Sequence, residues 1–223
     1  MTNVPIPHRS WKQFPDPTLS LSDLRPISRD FFSSRDALAL APALLGCLLV
    51  RPGEGIVARI TETEAYMGQG DAACHAAGGR RTARTRVMFY PGGVYYVYFT
   101  YGMYHCLNVV SGPEDSGEAV LIRAVEVLRG RDTASLRRFG LSYADLSARQ
   151  KKTLSDGPGK LCIALGVDRS FNGLPCDDPS MFLAAGPEPP ASAIRTAPRV
   201  GVDYAGEAAR FPWRFILSSA ARE

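Results

Sequence analysis

The sequence is short of lysine, histidine and paired cysteine, and each shortage closes off a kind of chemistry. Its 223 residues hold four lysines, Lys12, Lys151, Lys152 and Lys160, so no side-chain amine lies between Lys12 and Lys151. Schiff-base catalysis needs such an amine and is excluded from the long middle of the chain. The three histidines (His8, His75, His105) and five cysteines include no CxxC pair and no ligand spacing for zinc. An odd cysteine count outside any disulfide framework predicts a reducing compartment. No apolar run reaches the roughly 18 residues of a membrane span; "ALALAPALLGCLLV" is interrupted by Pro42 and Gly46. The N-terminus has no apolar signal core. These absences predict a cytoplasmic protein that does not enter a membrane.

What is present is ordinary in bulk and unusual in detail. The 45% hydrophobic and 22% charged content is that of a globular protein, and this length suits one large domain that folds without disulfides or metal. The net charge is +4, but 22 arginines stand against the four lysines. Arginine suits bidentate contact with phosphate, although genomic codon bias leaves the same mark.

Residues 1–23 are rich in proline and polar residues and read as a loose extension before a domain over 24–223. "RDFFSSRDALALAPALLGCLLV" reads as a short helix followed by a strand with Leu48 and Val50, and "GIVARITETEAY" alternates as a strand. A glycine- and arginine-rich loop precedes two strands around "TYGM", and "EAVLIRAVEVL" is a further apolar strand. Residues 131–153 have helical spacing, and "DGPGKLCIALGV" opens a helix with Pro158 in its first turn. A Pro/Ala-rich loop over 184–197 leads into "PRVGVDYAGEAARFPWRFILSS", expected as strand, turn and last strand. Strands come mostly first and helices later, which predicts an α+β fold.

Three stretches concentrate chemistry. In "ITETEAY" the two-residue period of a strand puts Ile60, Glu62, Glu64 and Tyr66 on one face. Two carboxylates beside a phenol fit a solvated edge strand, or a general base next to an aromatic binding surface. In "DAACHAAGGRRTARTR", His75 sits among small residues, and Arg80, Arg81, Arg84 and Arg86 alternate with Gly79, Thr82 and Thr85. That is a solvated basic loop or a phosphate-binding one. In "GGVYYVYFTYGMYHCLNVV", alternation groups Val94, Tyr96 and Tyr98 on one face and Tyr95, Val97 and Phe99 on the other.

Six of the nine tyrosines fall between Tyr90 and Tyr104, a dense way to fill a core because each buried hydroxyl needs a partner. Tyr101, Met103 and Tyr104 sit at the tip of the turn, where a rigid ring can wedge into stacked bases. "SDGPGK" lacks the full phosphate-loop pattern, yet a helix N-terminus with Lys160 can hold a single phosphate.

Taken together, "ETEAY", "CHAAGGRRTARTRVMFYPGGVYYVYFTYGMYHCLNVV", "VLIRAVE", "GPGKL" and "PRVGV" resemble the alkyladenine (3-methyladenine) DNA glycosylases, the mammalian-type monofunctional methylpurine glycosylases. The resemblance runs from about Leu24 to Ser218. It implies a single compact domain with a curved antiparallel β-sheet core and peripheral helices, no cofactor, and damaged purines in double-stranded DNA as substrate, met by a monomer. It implies Glu64 as the base that activates water and Arg123 as the residue holding that water and a neighbouring phosphate. Tyr66, His75 and Tyr98 become the walls on which a flipped base stacks, and Asn108 the group that rejects the exocyclic amine of guanine. Tyr101 becomes the ring inserted into the duplex, with Met103 and Tyr104 beside it. Arg80, Thr82, Lys160 and Arg199 are expected at phosphates. Glu62 shares the face of Glu64 but matches no role.

The missing lysines add that such an enzyme leaves an abasic site rather than nicking the strand. The residues alone also fit a non-catalytic nucleic-acid or lesion-binding module, or a sugar glycoside hydrolase using Glu62 and Glu64.

Overall fold

A computed structural model describes residues 20–218. Nine strands form one antiparallel sheet. The path runs β3 (Tyr95–Thr100), β4 (Tyr104–Ser111), β5 (Glu118–Arg129), β2 (Ile56–Tyr66), β1 (Leu48–Arg51), β7 (Met181–Ala184) and β6 (Asp177–Asp178). Two further strands, β8 (Ile194–Ala197) and β9 (Arg214–Leu217), pair with each other, and β9 also joins β2. The helices are α1 (Asp30–Ser33), α2 (Ala37–Ala43), α3 (Arg131–Phe139), α4 (Ala148–Lys152) and α5 (Pro158–Leu165). The result is the expected α+β domain with a curved antiparallel sheet and peripheral helices. No helix among the described residues is long and apolar enough to cross a membrane.

Strand alternation divides the hairpin β3–β4 as the sequence predicts. Tyr95, Val97, Leu107 and Val109 point into the main core, where they meet residues of α2 and α5 such as Leu40, Ala41, Leu161 and Leu165. Tyr96 and Val94 point the other way, into a second cluster that also takes Met88, Phe89 and the sides of Tyr66 and Tyr98. Each fully buried leucine here contributes about 1.5–3 kcal/mol by leaving water, so the register of the hairpin is fixed by the core side and the opposite side is free to form a site.

Two sequence expectations need correction. Ile60 does not share a face with Glu62, Glu64 and Tyr66. The register of β2 against β5 shifts around Thr61 and Glu62, and this bulge flips the alternation. Before it Ile56, Ala58 and Ile60 enter the main core; after it Ala65 does, and Thr63 donates its hydroxyl to Ala41 O at 2.8 Å. The glutamates are thereby turned away from the core. The bulge also marks a change of neighbour, since β2 pairs β1 up to Arg59 and β9 from Glu62 to Glu64.

The second correction lies near the C-terminus. The strand falls at Ile194–Ala197, inside the expected loop, and the stretch from Pro198 continues as irregular chain into a 3-10 segment, Asp203–Arg210. Proline has no N–H for a ladder, and Gly201 at φ 73 turns the backbone out of extended geometry. The pair β6–β7 had no counterpart in the sequence reading. Of the extension expected over 1–23, residues 1–19 lie outside the described residues; Leu21–Asp23 form a 3-10 turn capped by Ser20.

Candidate active site

Glu64 follows the bulge on β2 and is wholly buried. A buried carboxylate is costly unless it is paired and hydrogen-bonded, and Glu64 is both. Its Oε1 accepts the Val200 N–H at 2.8 Å and lies 3.3 Å from a terminal nitrogen of Arg123; its Oε2 accepts the Tyr66 hydroxyl at 2.9 Å. Burial pushes this carboxyl above its ordinary range, while Arg123, the Val200 amide, Tyr66 and Arg214 pull it back. A carboxylate has about four acceptor positions. Two are taken by hydrogen bonds and Arg123 is paired by charge, so the group is oriented and still able to accept a proton.

Arg123 lies on β5, across the ladder from β2. Its Nε donates to Glu62 Oε1 at 2.9 Å, and the same oxygen accepts Arg214 Nε at 2.7 Å. Charges therefore alternate along Arg214, Glu62, Arg123 and Glu64. Glu62, which had no role in sequence, holds Arg123 by its Nε and leaves one terminal nitrogen against Glu64.

Tyr66, Arg123 and Val200, the partners of Glu64, form the floor of a cavity of about 340 Å³ that His75, Tyr96, Tyr98 and Asn108 also line; Glu64 lies behind them, outside the lining. His75 and Tyr98 meet edge to face, centroids 4.7 Å apart, and Tyr96 and Tyr98 lie 5.3 Å apart. Burial and then the charge of Arg84 lower His75 to about 4, so its ring is neutral near pH 7. Arg84 approaches His75 Nε2 at 3.3 Å; because a guanidinium only donates, Nε2 accepts and Nδ1 carries the proton, donated to the Tyr96 oxygen at 3.0 Å. Burial raises Tyr96 to about 12 and moves Tyr66 and Tyr98 upward as well, so the phenols remain protonated donors. Asn108 on β4 is buried and held by Nδ2 donating to Tyr96 O at 2.9 Å.

At the rim the hairpin tip reverses the conditions. Tyr101 is 83% exposed and Met103 62% exposed. Tyr101 and Gly102 both have positive φ, 51 and 66, and Met103 N–H donates to Thr100 O at 3.2 Å. For a tyrosine the left-handed region costs about 1–2 kcal/mol, strain of the sort kept at functional positions. Tyr104 rests on the start of α5, where a Cβ on Gly159 would come within 2.8 Å of its ring. Lys160, on the same helix, pairs with Asp156 at 2.8 Å and stays partly exposed.

Beside the first cavity lies a second of about 460 Å³, lined by Arg80, Thr82, Arg84 and Thr85. The two threonines hydrogen-bond one another's backbone at 2.9 and 3.2 Å, which stiffens the loop that presents Arg80 and Thr82.

Arg199 departs from its expected place at a phosphate. It is buried in a two-pronged pair with Asp71, and its side chain is withdrawn from solvent. Of the other residues of the sequence reading, Tyr66, His75, Tyr98, Tyr101, Asn108 and Arg123 line the first cavity and Arg80 and Thr82 the second, while Glu64, Met103, Tyr104 and Lys160 are in neither lining. Sequence reasoning overlooked Val200, whose part is played by a main-chain N–H that no residue type signals. It also gave no distinct part to Arg84, stacked 4.6 Å over Tyr98, or to Tyr204. Tyr204 is 72% exposed and borders both cavities, its hydroxyl donating to Ala73 O at 3.2 Å.

A buried carboxylate behind the floor, walls of flat rings and a rim with a projecting tyrosine beside arginines define the site as a pocket for a flat aromatic group next to a basic surface. Comparison with known proteins gives the family. The family described as methylpurine-DNA glycosylase (MPG) matches residues 30–221. A Clostridium beijerinckii protein provisionally named 3-methyladenine DNA glycosylase is 46% identical over 193 residues, covering 86% of this chain and 95% of its own. Proteins with the same provisional name are 46% identical in Streptomyces avermitilis, over 90% of this chain and 92% of their own, and 44% identical in Desulfitobacterium hafniense, over 88% and 97%. The chain belongs to the methylpurine-DNA glycosylase family. It is a hydrolase acting on the N-glycosidic bonds of damaged bases in DNA.

Proposed function

We propose that this enzyme excises alkylated purines, 3-methyladenine and 7-methylguanine among them, together with hypoxanthine and ethenoadenine, from double-stranded DNA by a flipped-base mechanism. The observation that carries the proposal is Glu64: buried, held by two hydrogen bonds and an ion pair whose partners Tyr66, Val200 and Arg123 line an aromatic cavity. Tyr101 enters the duplex and takes the place of the departing base. Extrusion costs a few kcal/mol, and an inserted ring together with a stacked base, at about 1–3 kcal/mol each, offsets it.

In the cavity the base lies against Tyr66 on one side and against His75 and Tyr98 on the other. A methylated purine is a cation, and aromatic faces favour it. Because it is already charged it departs with its bonding electrons as a neutral base, without protonation; hypoxanthine and ethenoadenine, which are neutral, leave carrying a proton that the attacking water supplies overall. Glu64 takes a proton from a water that attacks C1′, and Arg123 steadies that water and the adjoining phosphate. The C1′–N bond breaks, the C1′–O bond forms, and an abasic site remains. Asn108, held by the Tyr96 carbonyl, stands against the exocyclic amine of guanine. Arg80, Thr82 and Lys160 meet phosphates. No lysine is in the cavity lining, and Lys160 on α5 is paired with Asp156, so the cavity offers no amine for strand nicking, and the protein works as a monomer.

The test is base release from a labelled duplex holding one ethenoadenine or hypoxanthine, beside methylated genomic DNA, for wild type and Glu64→Gln. Wild type should release base, with strand breaks only after hot alkali, and the variant should not. Release at equal rates by both proteins would remove Glu64 from the chemistry, and a borohydride-trapped protein–DNA adduct would contradict the single-function reading.

A further inference from the structure

The amide that orients Glu64 belongs to a segment with no regular structure. Residues 198–202 lie between β8 and the 3-10 segment and join neither strand nor helix. Such a segment has no ladder to fix it, and the narrow geometry of a hydrogen bond to Glu64 must be imposed by side chains. Val200 is not the anchor, because it is itself 48% exposed.

Its neighbour is. Arg199 donates through both terminal nitrogens to Asp71, one to each carboxylate oxygen, with the second at 2.8 Å. One of these nitrogens also donates to Ala65 O at 3.0 Å, directly after Glu64 in β2, and the other to Ala208 O at 3.1 Å. The guanidinium is stacked between the rings of Tyr66, 4.8 Å away, and Trp213, 4.9 Å away. Asp71 is fixed in turn by the N–H groups of Met67 and Ala73 at 3.2 and 3.0 Å. One planar fork thus ties the irregular segment to β2, to the loop before His75 and to the back of a pocket wall.

We propose that Asp71 and Arg199 are positioning residues for excision: their pair pins the Val200 amide onto Glu64 and so aims the carboxylate. The proposal rests on Glu64 being the base. A buried ion pair can often be exchanged for apolar residues without loss of stability, so stability alone does not account for this one, whereas the placement it imposes does. Lysine carries the same charge but lacks the planar fork that makes these bonds together. The positive charge of Arg199 and the Val200 N–H both favour the ionised form of Glu64.

Single-turnover excision of ethenoadenine from a duplex, with enzyme in excess and pH varied, tests this in Asp71→Asn and Arg199→Lys beside wild type and Glu64→Gln. Small misplacement of a reacting group costs about a hundredfold. Each variant should lose about that much rate and lose less in affinity for the lesion duplex, and Arg199→Lys, which keeps the charge but loosens the Val200 amide, should show its acid limb at higher pH. Variants that keep the wild-type limb and lose rate only in proportion to their unfolded fraction in thermal melts would overturn the proposal. If Glu64→Gln excises normally, the base assignment has failed instead, and the two failures are distinct. Should neither variant fold, exchange of the Val200 amide in the wild type decides: slow exchange supports the pinned segment, and exchange at the rate of an open loop refutes it.

Discussion

The floor and the rim of the cavity are built by opposite rules. Behind the floor, Glu64 is buried and each of its contacts is to a fixed donor. At the rim, Tyr101 stands 83% exposed in a backbone conformation that costs free energy. On the proposed mechanism the floor is complete in the free protein because the chemistry needs a base already aimed, and the rim is incomplete because its partner, the gap left by a flipped base, exists only in the complex. Substitutions at the floor should therefore act on rate and on pH dependence, and those at the rim on affinity.

The largest effect is expected for Glu64→Gln. A positioned base contributes about a hundredfold to ten-thousandfold, and the single-turnover rate should fall within that range while lesion affinity is kept. The same substitution should not destabilise the fold near neutrality. Burial raises Glu64 above its unfolded value, so the unfolded chain gives up this proton first as pH rises, and the ionised carboxylate costs stability above that point. Glutamine removes the cost, and melting curves should show an advantage that narrows toward acid. A variant that melts lower at every pH would show that the floor is held together by the charge.

Next in size is Tyr66→Phe. It keeps a ring for stacking and removes one donor to the carboxylate, a bond worth about 1.5–3 kcal/mol to a charged group. Excision should slow by roughly tenfold or more for that loss, and the acid limb of the pH–rate profile should move up, since the Tyr66 hydroxyl favours the ionised form. In the wild type that limb should already lie above the usual carboxylate range, for the carboxyl must be ionised to act. A limb at the ordinary value would mean that the charges around Glu64 outweigh its burial.

At the rim, Tyr101→Gly should weaken lesion-duplex binding by about 1–3 kcal/mol, the worth of one stacked ring. Thermal stability should hold, because glycine enters φ 51 without strain. Loss of stability instead would place Tyr101 in the fold rather than in the DNA. The smallest effect is expected for Arg80→Ala. It should weaken damaged and undamaged duplexes alike and lower the salt dependence of binding by about one ion, measured as the slope of affinity against salt.

Much of the site was legible before the fold was known. Alternation separated Tyr96 and Tyr98 from Tyr95 and Val97, and the order of the motifs pointed to Glu64 and Arg123. The exposed tip at Tyr101 followed from a glycine turn between two strands. Where the sequence misled, the missing information was long-range. Regular alternation placed Ile60 beside Glu64, and the bulge at Thr61 undid it as β2 passed from one neighbour to another. An arginine in "PRVGV" looked free for phosphate, and Asp71, 128 residues away in sequence, claimed it.

The sequence alone determined the chemical groups and the local rhythm that brings them to one side of a strand, since a strand's period is a property of neighbouring residues. Only the tertiary structure decided which side faces the core, which arginine is buried, and that a main-chain amide at Val200 meets the Glu64 carboxylate. Those depend on contacts between distant segments, and a backbone N–H carries no mark in the residue that bears it.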